Sequence, residues 1–131
     1  MPTFLIYSLF IIYSIDQIII KKKSDISKYF LIVSIFYLIL KFTRISEFGN
    51  DIPSIIFSIL SIYNFLKFNE EKKIDIKKSK FYNNFAFALF AILIKFSSIP
   101  IILLTLYLFF KNYKIIIQDI FKFHYIFIYL I

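Results

Sequence analysis

Long apolar stretches separated by lysine-rich intervals constrain this chain more than any other feature. The stretches are Phe4–Ile20, Tyr29–Phe42, Ile52–Phe68 and Phe85–Phe110, and hydrophobic residues make up 60% of the 131 residues. A water-soluble domain of this size cannot hide so much apolar surface, because only one face of each element points inward. A bilayer is apolar on every side, and about 20 apolar residues span its hydrocarbon core. The sequence therefore predicts an all-α protein that is integral to a membrane.

The predicted architecture is a polytopic transmembrane helical bundle that forms one unit. Four main spans are expected near residues 4–20, 27–44, 52–68 and 85–110, followed by a partly embedded C-terminal segment, 115–131. The span 85–110 is overlong and contains Lys95 and Pro100, which leaves open one kinked helix or two half-helices with a break between them. The polar interval between Asn69 and Lys80 is expected to be a solvated loop.

Composition excludes several classes of site. The chain has no cysteine, so disulfides and thiolate chemistry are excluded. A lone histidine, His124, cannot build a zinc site without several partners, and no metal site or cofactor is indicated. The formal net charge is +8, but the lysines lie beside apolar spans and the aromatic residues lie inside them. The expected partner is therefore the lipid bilayer and not nucleic acid.

Lysine placement predicts the orientation. One side would carry Lys21, Lys22, Lys23 and Lys28 together with the lysines of the interval 67–80, and the other side would carry fewer cations, Lys41, Arg44, Lys111 and Lys114. Because cytoplasmic loops carry an excess of Lys and Arg, both lysine-rich loops are predicted to be cytoplasmic and the N-terminus outside. The membrane is expected to be a bacterial inner membrane.

The outward loop between the second and third spans concentrates polar chemistry. It contains Arg44, Glu47 and Asp51, together with the single glycine of the chain, Gly49, followed by Asn50. Gly49 and Asn50 tolerate a positive φ and so predict a tight turn. Asp51 precedes Ile-Pro and is well placed to begin a helix as its N-cap. The alternative is that Glu47 and Asp51 act as catalytic or metal-phosphate-binding carboxylates, with Arg44 contacting the substrate.

The pattern Arg44-x-Ser-Glu47-x-Gly49-x-Asp51-x-Pro53 resembles a segment of polytopic bacterial proteins of envelope-polysaccharide synthesis, namely GT-C glycosyltransferases and O-antigen polymerase-like proteins. In GT-C enzymes an acidic residue of an outward loop handles a lipid-linked sugar donor. The resemblance implies that role for Glu47 or Asp51, with Arg44 near the donor phosphate. It covers about ten residues, and those proteins have many more spans, so the chain is expected to be a fragment if the resemblance holds.

Lys95 is the second candidate, because a charge within an apolar span is costly unless it faces protein or water. At helical spacing it shares a face with Ala88, Ala91 and Ser98, and Asp16 in the first span is its expected intramembrane partner. Structural pairing or a local break is favoured, and a substrate or proton pathway is the alternative.

A stripe of small and polar residues along the third span is expected to mediate helix packing, because such residues allow close approach and hydrogen bonding in lipid. The stripe consists of Ser54, Ser58, Ser61 and Asn64.

Two functions of different classes remain. One is a membrane enzyme, or part of one, in envelope-glycan assembly, acting on a lipid-linked sugar donor. The other is a small non-catalytic membrane protein that packs with other membrane subunits.

Overall fold

The structure is a computed structural model, and it describes residues 2–20, 25–42, 51–114 and 116–117. Every regular element in these ranges is helical, so the all-α prediction is confirmed. The helices are α1 (Pro2–Ile20), α2 (Ile26–Phe42), α3 (Asp51–Glu70), α4 (Ile74–Ile94), a 3₁₀ helix (Phe96–Ile101) and α5 (Ile102–Lys111). The segment 118–131 lies outside the described residues, and so does the prediction of a partly embedded C-terminus there.

α3 is the central helix, and α1 and α2 pack on it. Tyr63 of α3 donates a hydrogen bond to Gln17 Oε1 of α1 at 3.1 Å, and the ring of Tyr63 meets that of Tyr13 edge to face. The end of α3 lies against the beginning of α2, so these two helices are antiparallel. The apolar core that joins α1, α2 and α3 consists of Phe10, Leu31, Leu38, Ile52, Ile56, Ile59 and Tyr63.

The overlong apolar stretch forms two helices, and the chain reverses between them. Lys95 is extended (φ −144°, ψ 111°) and ends α4, and the 3₁₀ helix that follows contains Pro100. A proline within a helix removes a backbone donor and clashes with the preceding turn. α5 then runs back along α4, since Thr105 reaches Asn84 at 2.6 Å. One kinked helix is therefore wrong and the break is present, but the pieces are not two short half-helices, because α4 begins at Ile74 and has 21 residues.

The reversal corrects the predicted position of two lysines. Leu108 of α5 and Ile116 pack with Phe68 of α3 and with Phe81. The end of α5 therefore lies at the same end of the bundle as the end of α3. Lys111 and Lys114 follow Leu108 by three and six positions, so they lie near the lysine-rich interval and not at the opposite end, where an uninterrupted last span would have placed them.

The predicted solvated loop between Asn69 and Lys80 is also wrong in extent. α3 continues to Glu70, non-helical backbone is confined to residues 71–73, and α4 begins at Ile74. Lys77 lies over the ring of Phe68, 5.5 Å from its centroid, which ties the first turns of α4 to the end of α3. Lysine is a good helix former, and its charge can lie on the exposed side of a helix without ending it.

Apolar and polar side chains are distributed in an unusual way. Large apolar residues face outward on α1, α2, α4 and α5, the most exposed being Leu93 at 80%. The interior of the bundle contains buried polar residues, namely Ser14, Ser27, Ser34, Ser54, Ser61, Asn64, Lys67, Asn84 and Thr105. Within the described residues, α3 is the one helix both long and apolar enough to cross a membrane, and the apolar segments Phe4–Ile20 and Phe96–Lys111 are shorter.

Candidate functional site

At the end of α3, four residues form a closed polar group, the Lys67 cluster: Asp25, Ser27, Lys67 and Glu70. The ammonium of Lys67 lies 3.0 Å from Asp25 Oδ2 and 2.9 Å from Glu70 Oε2. Its side chain is 5% exposed. Glu70 also accepts hydrogen bonds from the backbone N–H and the hydroxyl of Ser27, at 2.9 and 2.7 Å. A carboxylate of α3 thus satisfies one of the free N–H groups at the beginning of α2.

The Lys67 cluster leaves neither oxygen of Glu70 without a partner. Oε1 accepts a hydrogen bond from the backbone N–H of Ser27, and Oε2 accepts from the Ser27 hydroxyl and the Lys67 ammonium. The cluster is therefore a structural connection between α2 and α3.

In the middle of the bundle, a buried polar group, the Asn84 clamp, joins three helices. Asn84 Nδ2 donates to the carbonyl and hydroxyl oxygens of Ser61, at 2.7 and 3.0 Å, and Asn84 Oδ1 accepts a hydrogen bond from Thr105 at 2.6 Å. The Ser61 hydroxyl donates to the carbonyl of Asn84 at 3.2 Å. Ser61 therefore packs between helices, as its stripe predicts, whereas Ser58 and Asn64 donate to carbonyls of their own helix, those of Ser54 and Leu60.

At the other end of α3 lies a more open group, the Lys95 cluster, which consists of Asp51, Ser54, Lys95 and Ser98. It brings together Asp51 and Lys95, which the sequence analysis assigns to separate candidate sites. Lys95 Nζ lies 2.8 Å from Asp51 Oδ2. Ser54 donates to the carbonyl of Ala91 at 3.1 Å, and its oxygen is 2.8 Å from the Ser98 hydroxyl, which is left to act as the donor. The side chains of Lys95 and Asp51 are 44% and 34% exposed.

The predicted site residues are placed as follows. Asp51 begins α3 and Lys95 ends α4, and the fold brings these two together. The carboxylate beside Lys95 is therefore that of Asp51, whereas the sequence favours Asp16, which lies exposed on α1. Arg44 and Glu47 lie outside the described residues, so the structure does not place them relative to the Lys95 cluster.

The Lys95 cluster has the composition to bind an anionic oxygen. An ammonium carries three donors, and the exposed side of Lys95 leaves donors accessible beside the Asp51 carboxylate. The Ser98 hydroxyl adds a neutral polar group at the same edge. Across residues 2–20, 25–42, 51–114 and 116–117, no group of three His, Asp or Glu side chains is arranged to hold a metal ion. The chemistry available in the described part is charge recognition and hydrogen bonding.

Sequence reasoning missed the Lys67 cluster and the Asn84 clamp, and only the first leaves a local signal. Lys67 and Glu70 are three positions apart, a spacing at which side chains of one helix meet. Asn84 lies well before the break at Lys95–Ile101 and Thr105 lies close after it, so their spacing from the break does not indicate that they are partners.

Comparisons with known proteins give the family. No curated protein and no solved structure matches the chain. Residues 2–131 match a family described as a domain of unknown function, and the match covers nearly the whole chain. The protein therefore belongs to the DUF8201 family.

Proposed function

We propose that this chain is an integral membrane protein that crosses the bilayer several times. The observation that supports this proposal is the distribution of side chains: hydroxyl and amide groups are buried between helices, and leucine, isoleucine and phenylalanine face outward. In water the outward-facing apolar side chains make this arrangement unfavourable. In lipid it is favourable, because exposed apolar side chains have an apolar solvent and buried polar groups join the helices.

The helices differ in how well their lengths suit a bilayer. α1 and α3 have 19 and 20 residues, about 28–30 Å at about 1.5 Å per residue. The apolar part of α4, residues 81–94, is shorter, about 21 Å, because Asp75, Lys77, Lys78 and Lys80 lie in the first turns of that helix. The hydrocarbon core of a bilayer is about 30 Å thick. The 3₁₀ helix and α5 together contribute a further apolar leg, from Phe96 to Lys111.

The arrangement of lysines supports an orientation with the Lys67 cluster at the cytoplasmic side. The reversal after Lys95 adds Lys111 and Lys114 to the end that already carries the lysines of the interval 67–80. Removing these two cations from the opposite end makes the charge asymmetry stronger than the sequence alone predicts. By the positive-inside rule, the Lys95 cluster then faces outward, at the far side of a bacterial inner membrane.

Single-cysteine labelling tests the topology directly, because the natural chain has no cysteine. We expect Asn50→Cys to react with a membrane-impermeant maleimide added to intact cells, and Asn69→Cys to react only after the membrane is permeabilised. Ser97→Cys, at the reversal, should behave like Asn50→Cys, and Tyr113→Cys like Asn69→Cys. Equal labelling of all four positions in intact cells, or release of the chain from membranes by alkaline carbonate, would refute the proposal.

For the biochemical role, we propose that the outward end binds the anionic headgroup of a lipid-linked sugar donor during envelope-glycan assembly. Support comes from the Lys95 cluster, which places an accessible ammonium and a hydroxyl near Asp51. Asp51 is one of the residues of the loop pattern that resembles envelope-polysaccharide proteins. Arg44 and Glu47 precede Asp51 by seven and four positions in the sequence. Arginine can bind phosphate through two parallel hydrogen bonds, and the Lys95 ammonium can add a third contact.

A second candidate is a non-catalytic membrane subunit that packs with a partner. The observation that favours it is that the Asp51 carboxylate is already paired with Lys95. A carboxylate in an ion pair is a poorer base and a poorer metal ligand than a free one.

Conservative substitutions distinguish the two candidates. If the outward end handles a glycan donor, Glu47→Gln, Asp51→Asn and Lys95→Gln should each lower envelope-glycan synthesis by the producing cells while membrane levels of the chain stay normal. Lys73→Gln, at an exposed lysine of the loop between α3 and α4, is the matched control and should have no effect. Normal glycan synthesis in all the variants, together with co-purification of an unrelated membrane complex, would support the packing role.

A further inference from the structure

The break between α4 and the 3₁₀ helix is bonded to α3 through one buried hydroxyl, that of Ser54. This residue is 1% exposed. Its hydroxyl donates to the carbonyl of Ala91, in the last turn of α4, at 3.1 Å. The same oxygen accepts from the Ser98 hydroxyl, in the 3₁₀ helix, at 2.8 Å. The donor and an acceptor of a single side chain therefore bond on opposite sides of Lys95.

The backbone of Lys95 is bonded to the same two residues. Its N–H donates to the carbonyl of Ala91 at 2.9 Å, and its carbonyl accepts from the N–H of Ser98 at 2.9 Å. Lys95 is extended (φ −144°, ψ 111°), and no side-chain hydrogen bond caps the 3₁₀ helix that follows it. Ser54 thus adds a contact from a neighbouring helix to each of the two residues that fix the backbone of Lys95.

Ser54 also lies one helical turn from the carboxylate that Lys95 reaches. It follows Asp51 by three positions at the beginning of α3. The ion pair between Asp51 and Lys95 is partly exposed on both sides, so its attraction is too weak to order a long side chain by itself. The direction of the Lys95 side chain therefore depends on the backbone from which it extends.

We propose that Ser54 is a positioning residue for the Lys95 cluster: it holds the backbone on both sides of Lys95, and this directs the ammonium toward Asp51 and toward an anionic ligand. Ser54 is buried and does not contact the ligand itself. The inference rests on the proposed binding role of the Lys95 cluster. A donor that is fixed in advance binds more tightly, because binding does not include the cost of ordering it.

Hydrogen–deuterium exchange of the full-length chain in detergent micelles tests whether Ser54 holds the break. In Ser54→Ala, the amides of Lys95 and Ser98 should exchange about three- to tenfold faster, the factor that corresponds to one net hydrogen bond. Exchange around Asn84, in the middle of α4, should not change. Ser54→Thr keeps the hydroxyl and should resemble the natural chain.

Ser58→Ala is the matched control for both measurements. Ser58 lies one turn further along the same face of α3, but its hydroxyl donates to the carbonyl of Ser54 within the same helix. The substitution therefore removes a serine hydroxyl without removing a contact to the break. It should leave the exchange of Lys95 and Ser98 as in the natural chain.

The effect on binding is measured by calorimetric titration with geranyl diphosphate, a soluble lipid diphosphate. Lys95→Gln defines the part of the affinity that comes from the Lys95 ammonium. Ser54→Ala should lose much of that part, about three- to tenfold in Kd, whereas Ser54→Thr and Ser58→Ala should bind as the natural chain does.

Three results would overturn the inference. Exchange at Lys95 and Ser98 that is unchanged in Ser54→Ala would show that the hydroxyl does not hold the break. Faster exchange that extends equally to Asn84 would show that it supports the whole bundle. Unchanged binding by Ser54→Ala, where Lys95→Gln weakens binding, would show that the ammonium is positioned without it. If Lys95→Gln binds geranyl diphosphate as well as the natural chain, the donor-binding role fails instead, and the exchange measurement alone decides whether Ser54 holds the break.

Discussion

The two ends of α3 carry clusters built from the same kinds of residue but with opposite accessibility. At the C-terminal end, Lys67 is 5% exposed and contacts two carboxylates. At the N-terminal end, Lys95 is 44% exposed and contacts one, that of Asp51. Serine hydroxyls complete both groups, with Ser27 donating to a carboxylate in one and Ser98 contacting a second serine in the other. A lysine beside an aspartate thus occurs in a closed and in an open form within one bundle.

The difference shows how burial separates a structural from a binding role. In the Lys67 cluster the donors and acceptors satisfy one another, so the charges are committed to holding α2 against α3. In the Lys95 cluster both partners are partly exposed, so their mutual attraction is weak and a ligand can compete for them. We therefore expect the Lys67 cluster to determine stability and the Lys95 cluster to determine recognition. The predictions below test that division.

The largest effect is expected for Lys67→Gln. The substitution removes the cation that Asp25 and Glu70 share, and breaking a buried ion pair typically costs about 3–5 kcal/mol. Both carboxylates retain some exposure, 26% and 22%, so we expect a loss near the lower limit, about 3 kcal/mol. The measurement is the free energy of unfolding in detergent.

The variant Lys67→Gln/Asp25→Asn/Glu70→Gln is the control for that experiment, because it removes the charges together. It should recover a large part of the lost stability, since the penalty of the single substitution comes mainly from two carboxylates that have lost their shared ammonium. If the single substitution costs less than 1 kcal/mol, the description of the Lys67 cluster as a closed structural group is wrong.

A smaller loss is expected for Asn84→Ala, in the middle of the bundle. The substitution leaves the Thr105 hydroxyl and the carbonyl of Ser61 with one hydrogen bond fewer inside a buried site, which costs about 1–3 kcal/mol. Thermal unfolding in detergent provides the measurement, and Asn83→Ala, at the exposed neighbouring position, is the matched control. Equal losses for the two variants would show that the Asn84 clamp is not an independent source of stability.

Sequence reasoning recovered the helices but not their pairing. α1 and α3 cover the predicted apolar stretches 4–20 and 52–68, and α2 covers residues 27–42 of the stretch 27–44, because a continuous apolar run between polar residues is a strong local signal. The loop predicted for Asn69–Lys80 was too long, because lysines indicate solvent contact but do not prevent a helix. Whether the chain reverses at Lys95 depends on the contact between Asn84 and Thr105, which are 21 positions apart, and local pattern carries little information on such contacts.

The candidate site was predicted in parts. Asp51 and Lys95 were each singled out from the sequence, but as members of different groups, because they are 44 positions apart. The ion pair between them follows from the antiparallel packing of α3 and α4, which brings the beginning of one helix to the end of the other. The roles predicted for Arg44 and Glu47 remain predictions.

The smallest effect on stability is expected for Lys95→Gln, which repeats the substitution made at Lys67. The pair with Asp51 is accessible on both sides, and exposed ion pairs contribute about 0–1 kcal/mol. We expect a loss below about 1 kcal/mol in the free energy of unfolding, and this loss should shrink further as salt is added.

Binding to anionic vesicles should respond differently. In a flotation assay in which the end of the protein that carries the Lys95 cluster is accessible, vesicles that contain an anionic phospholipid should retain the Lys95→Gln variant less well, because an accessible cation has been removed. Asp51→Asn should act in the opposite direction, since it frees the ammonium from its partner without changing the side-chain shape. If both substitutions destabilise the fold as much as Lys67→Gln and leave vesicle binding unchanged, the two ends of α3 are equivalent structural connections, and the outward end has no separate role in recognition.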